Sequence, residues 1–185
     1  MLVVFAHSST GSTVATVHRA DGVVMQLPGH DRKYRVPHDL AHFATERALD
    51  MAGGVFGSIA AGAVFANMRL VSGRPRHDAP ARGKRILEAN KQTLGLAEVL
   101  AGVIHQVVET GDPAPVAPMV HNAYAVLDPG GFPWSDDQVG AAVRDLTELT
   151  AEWEAQGTLR VTWPDHLIAA PPPPRGIRRG RRGRT

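Results

Sequence analysis

Apolar positions change their rhythm along this chain, and each change marks a predicted element. Residues 1–6 form a short apolar run that reads as a strand, and residues 13–19 alternate loosely, with Val14 and Val17 set among polar neighbours. Asp21-Gly22 then separates this segment from the β-prone run 23–27, a pairing that predicts a tight hairpin ended by Pro28 and Gly29. Residues 34–36 add a short extended piece. From Pro37 the period becomes helical: proline suits the first turn, Asp39 favours the helix dipole, and the helix should run to Leu49 before Gly53-Gly54 breaks it.

A second helix is expected over 55–68, where Gly54, Ser58, Gly62 and Ala66 recur every fourth residue as a ridge of small side chains. Residues 72–82 are a polar loop. A long helix is expected over 83–109, with Leu87, Leu94, Ala101 and Val108 spaced by seven and Asn90, Ala97 and Ile104 on the same side. Residues 111–118 form an irregular connection, and 119–127 a short helix. After a turn-rich stretch, Ser135 and Gln138 form a capping box. The helix behind it carries Val139, Val143, Leu146, Leu149 and Trp153 on one stripe and closes at Gly157. Residues 158–163 alternate as a final strand that joins the N-terminal hairpin. The predicted fold is α+β: a mainly helical single domain over 1–168, with four main helices on a small antiparallel sheet formed by the N-terminal hairpin and the late strand. Residues 169–185, rich in Pro, Gly and Arg, bury too little apolar area to offset their ordering entropy and should form a disordered tail.

Composition narrows the chemistry. The chain of 185 residues has no cysteine, so disulfides and thiolate metal sites are excluded. Any metal must sit on His, Asp or Glu, which also fits a cytoplasmic protein. The first residues lack the basic start and length of a signal sequence. Residues 51–68 carry no charge, yet their glycines, Ser58 and Asn67 favour a buried core helix over a membrane span. Six arginines of the tail account for the basic character; the rest holds 14 Lys and Arg against 18 acidic residues. The folded body is therefore mildly acidic, which argues against the domain itself as a nucleic-acid binder.

Candidate chemistry concentrates in Pro37-His38-Asp39-Leu40-Ala41-His42-Phe43-Ala44-Thr45-Glu46. With His38 at 0° on a helical wheel, His42 falls at about 40°, Glu46 at about 80° and Asp39 at about 100°. Two histidines at i and i+4 can chelate one ion. Eight residues separate His38 from Glu46, about 12 Å along the axis, so one ion does not reach both. The expected arrangement puts His38 and His42 on the metal, with Asp39 as a further ligand, a ligand-orienting group or a catalytic acid–base. Glu46 then moves protons, touching a second ion, a water or a substrate. Further ligands should come from elsewhere, best from the long helix, where Glu98, His105 and Glu109 share a sector; His121, His30 and Asp31 are other candidates. Nitrogen and oxygen ligands alone suit zinc first, or iron or manganese.

His38-Asp39-Leu40-Ala41-His42 resembles the HDxxH motif of the ubiquinone-biosynthesis HDxxH protein family, whose members are helical, zinc-associated and membrane-peripheral. That motif continues to a glycine and a later Gly-Glu; here Glu46 stands in place of the glycine, and Gly53-Gly54 is followed by Val55. The resemblance implies metal ligation by His38, Asp39 and His42. The wider run through Gly57 and Phe65 is similar to uncharacterised bacterial proteins with a PHDxxHxxxE helix, which implies no particular activity.

No phosphate loop, nucleophile elbow or dinucleotide fingerprint is present. Two functions follow. One is a metal-dependent enzyme acting on a small molecule through metal-activated water, its site completed by the long helix or by another chain of an oligomer. The other is a non-catalytic binding or scaffold domain, with the tail arginines (Arg175, Arg178, Arg179, Arg181, Arg182 and Arg184) contacting nucleic acid or an acidic partner.

Overall fold

The computed structural model describes residues 1–9, 11–29, 34–111 and 115–171. The six tail arginines, His30 and Asp31 lie outside the described residues; at the start of the expected tail, Ala169 is buried and its N–H donates to the Gly57 carbonyl (3.1 Å). The fold is α+β. Five antiparallel strands, β1 (Leu2–His7), β2 (Thr13–His18), β3 (Val24–Pro28), β4 (Arg69–Ser72) and β5 (Thr158–Thr162), form one sheet in the order β4-β3-β2-β1-β5.

The hairpin forms where Asp-Gly predicts it. Gly22 takes φ +79°, Arg19 N–H donates to the Val23 carbonyl (3.0 Å), and the Asp21 carboxylate accepts from Val23 N–H (3.2 Å). The late strand pairs with β1, the neighbour on the far side of the hairpin, with Val3 opposite both Val17 and Val161 and Phe5 opposite Ala15 and Leu159. All six of those side chains are buried on one face of the sheet.

That face is covered by α1 (His38–Ala48) and α2 (Val55–Ala61). Phe5 and Phe43 meet edge to face at 6.2 Å, Phe43 meets Trp163 at 5.3 Å, and Phe56 packs among them. Behind α1 lie α4 (Lys91–Thr110) and α6 (Asp136–Gln156); α3 (Ala79–Ala89) and α5 (Val116–Leu127) flank them. Helix α1 is thus the central rod of the fold, and every residue from Leu40 to Glu46 is buried. Its C-terminal end is held from outside, where Trp134 Nε1–H donates to the Leu49 carbonyl (2.6 Å) and Arg47 is paired with Asp145.

Three expectations change. Helix α2 stops at Ala61, because Gly62 adopts φ +110° and turns the chain away; the small-residue ridge ends there, and Gly62 and Ala66 lie beyond it. Residues 62–68 instead run as turns and irregular chain into β4, an edge strand over 69–72 that the sequence reading did not assign. The long helix is two: Asn90 turns its side-chain amide back onto the Ile86 carbonyl (3.0 Å), ends α3 and begins α4 at an angle. Residues 34–36 make no strand, because the Glu109 carboxylate takes up their N–H groups: Arg35 N donates to Oε1 (3.0 Å) and Val36 N to Oε2 (2.8 Å). No helix among the described residues is long and apolar enough to cross a membrane.

The capping box of α6 forms as its spacing requires, with Ser135 N donating to Gln138 Oε1 (3.0 Å), Gln138 N donating to Ser135 Oγ (3.3 Å), and Gly157 closing the helix at φ +66°. Ser135→Ala is expected to cost about 1 kcal/mol, read as a lower urea midpoint at unchanged slope; no change in midpoint would contradict the cap.

Candidate metal centre

Helices α1 and α4 pack side by side, so the polar sector at the start of α1 faces that of α4. His38 and His42, one turn apart, bring their rings to 4.9 Å between centroids at 85°. Glu98 reaches across from α4 and spans the pair: Oε1 stands 3.4 Å from His38 Nε2, and Oε2 is 3.1 Å from His42 Nε2. One ligand atom from each of the three residues lies within 4.8 Å of the others, a group that could hold a metal ion.

Behind His42 stands Glu46. Its carboxylate is fully buried and accepts three hydrogen bonds, from His42 Nδ1–H (3.0 Å), Val55 N–H (2.9 Å) and Phe56 N–H (3.0 Å). This position differs from the one the axial rise suggested. The i,i+4 step to His42 matters more than the distance from His38, and the free N–H groups that open α2 close the carboxylate off from the cleft. Gly54 makes room for it, since a Cβ at that position would overlap the carboxyl carbon of Glu46. Gly54→Ala is expected to displace the carboxylate and cost about 1–3 kcal/mol, measured by urea unfolding; a neutral result would mean that the site relaxes around the methyl group.

Electrostatics follow from this layout. Burial alone would lower the pKa of His42, but hydrogen bonds and charge from Glu46 and Glu98 overcome it and raise the pKa to about 10. With no metal bound, His42 is an imidazolium clasped between two carboxylates. The hydrogen bond from His42 is the chief reason that Glu98, though exposed, is held down at about 2. His38 moves the other way: burial and the neighbouring His42 charge lower its pKa, leaving a neutral imidazole with a lone pair to offer.

His38 and Glu98 line a cleft of about 420 Å³, whose walls also include Thr13, Tyr34, Asp39, Asn67 and His105, while His42 is buried. Asp39 therefore lies beside His38 in the cleft wall, outside the group of three ligand atoms. His105 is buried, its Nε2–H donating to the Val36 carbonyl (2.8 Å) and its ring at 5.5 Å from His38. With Glu109 it fastens the segment entering α1, so two members of the expected α4 sector hydrogen-bond the backbone, and Glu98 is the one that brings a ligand atom to the histidine pair. His121 lies elsewhere, at 3.1 Å from Asp136 and stacked on Phe132 at 4.1 Å. Thr13, Tyr34 and Asn67 had no sequence signal, because a strand, a loop and the segment before β4 bring them together only in three dimensions. No family model matches the chain, and neither a curated protein nor a solved structure matches it.

Proposed function

We propose that His38 Nε2, His42 Nε2 and a Glu98 carboxylate oxygen hold one divalent metal, and that the protein is a metal-dependent enzyme acting on a small molecule in the adjoining cleft. The observation that carries this reading is the three-residue group from two helices, backed by a carboxylate on the remote nitrogen of His42. A ligating histidine characteristically donates its other N–H to a carboxylate, which fixes the tautomer and the ring. Glu46 supplies that contact, so it is a positioning residue. Two nitrogens and one oxygen suit catalytic zinc, and also iron or manganese, with positions left for water. The metal supplies Lewis acidity and lowers the pKa of a bound water. Asp39, in the cleft wall, takes the proton that water gives up. The resemblance of His38-Asp39-Leu40-Ala41-His42 to the HDxxH motif supports ligation by the two histidines, with Glu98 in place of Asp39 as the third ligand.

Metal analysis of protein purified without a histidine tag tests this. About one equivalent of zinc, iron or manganese per chain is expected, and Glu98→Ala should lose it while keeping the wild-type circular dichroism spectrum. Metal-free protein that takes up none of the three ions would end the proposal.

A further inference from the structure

Positive charge is concentrated outside the histidine site. Seven of the 14 Lys and Arg residues that precede the tail fall between positions 69 and 91, against two acids, Asp78 and Glu88. Arg76 pairs with Asp78 at 3.4 Å; among the described residues no other Lys or Arg of this stretch has an ion-pair partner. The stretch builds β4, α3 and their connection, and these elements enclose an open cleft of about 670 Å³, within the range of about 300–1,000 Å³ usual for small-ligand sites.

The cleft is apolar. Phe65, Met68, Leu70, Pro75 and Leu87 line it, Val64 and Leu70 remain 40% and 51% exposed, and among the described residues β4 has no strand on its outer side. Solvated apolar side chains on an edge strand are a liability that proteins seldom keep without use. Lys84 stands in the wall with Glu88, and Arg69 and Arg74 adjoin the lining residues Leu70 and Pro75, as Asp78, paired with Arg76, adjoins Ala79. Residues 65–68 divide this cleft from the metal site, with Asn67 facing the latter and Phe65, Ala66 and Met68 the former.

We propose that the β4–α3 cleft binds an amphiphile with an unbranched alkyl chain and one anionic head, of the fatty-carboxylate type. The chain lies against Phe65, Leu70 and Leu87, where burial removes exposed apolar surface from water, and the head sits at Lys84 among unpaired cations. An oligonucleotide fits less well, since Phe65 is the sole aromatic ring in the lining and offers no row of stacking platforms.

Calorimetric titration with dodecanoate, below its micelle threshold, tests the site. Saturable binding of one molecule per chain is expected, at least about tenfold tighter than dodecyltrimethylammonium. Lys84→Glu should weaken dodecanoate by about tenfold and Leu70→Asp should abolish it; both residues are exposed, so both variants should keep the fold. His38→Ala should bind dodecanoate like the wild type, which separates this site from the metal centre. Equal affinity for the cationic amphiphile, no saturation by about 1 mM, or undiminished binding by Leu70→Asp would overturn the proposal. So would adsorption to anionic vesicles or to an oligonucleotide by a protein that does not bind dodecanoate.

Discussion

Glu46→Ala is expected to remove about 3–5 kcal/mol of folding stability, one of the two largest effects of any single substitution discussed for this chain. Three donors converge on that carboxylate, two of them in buried hydrogen bonds. His42 is left as a buried cation with only the exposed Glu98 beside it, and the N–H groups of Val55 and Phe56 lose their acceptor. Glu46→Gln keeps an acceptor for the backbone and should cost less. Urea unfolding of metal-free protein at constant slope gives the comparison, and a loss below about 1 kcal/mol for the alanine variant would show that the network contributes little. The pH dependence runs in a defined direction. The pKa of His42 is raised from 6.5 to about 10 in the folded state, so its contribution is complete below about pH 6.5 and is lost as pH rises towards 10. Chelator-treated wild type should therefore lose stability over that window, and Glu46→Ala should show a flatter profile.

His42→Ala is expected to weaken metal binding by more than about 100-fold, beyond the 10–100-fold typical of losing an orienting partner, and to destabilise the fold by about 3–5 kcal/mol, because it strands the Glu46 carboxylate in the interior. Glu46→Gln should fall within that 10–100-fold range. Asp39→Asn discriminates further. If Asp39 moves a proton and does not ligate, the variant keeps its metal and loses turnover; loss of the metal would return Asp39 to the ligand set that the HDxxH resemblance implies. Competition against a chromogenic zinc chelator, run on all three variants at one pH, reads these outcomes on a common scale.

The sequence exposed what is local and hid what depends on packing. Asp21-Gly22 and Ser135–Gln138 state their structures within four residues, and both formed. Gly62 was ambiguous: the same residue continues a small-side-chain ridge or ends a helix at positive φ, and only the path of the chain into β4 selects the second. Asn90 sat within a sound heptad spacing, and its side chain competes with the backbone in a way that periodicity does not register. At the site, His38 and His42 followed from spacing. Glu98 was visible as part of a polar sector with His105 and Glu109, but which of the three meets the histidines depends on how α4 lies along α1. Glu46 and His42 carried their i,i+4 relation openly; the N–H groups that hold the carboxylate came from a helix whose approach no local pattern encodes.

The double duty of Glu46 has a consequence for heredity. One carboxylate secures both the site histidine and the first turn of the next helix, and the absent side chain of Gly54 leaves it room. A lineage could not simply exchange His42, because the buried charge behind it would remain to be neutralised. Positions 42, 46 and 54 should therefore drift as a unit, and a descendant that lost the histidine yet folds well should carry an uncharged residue at 46.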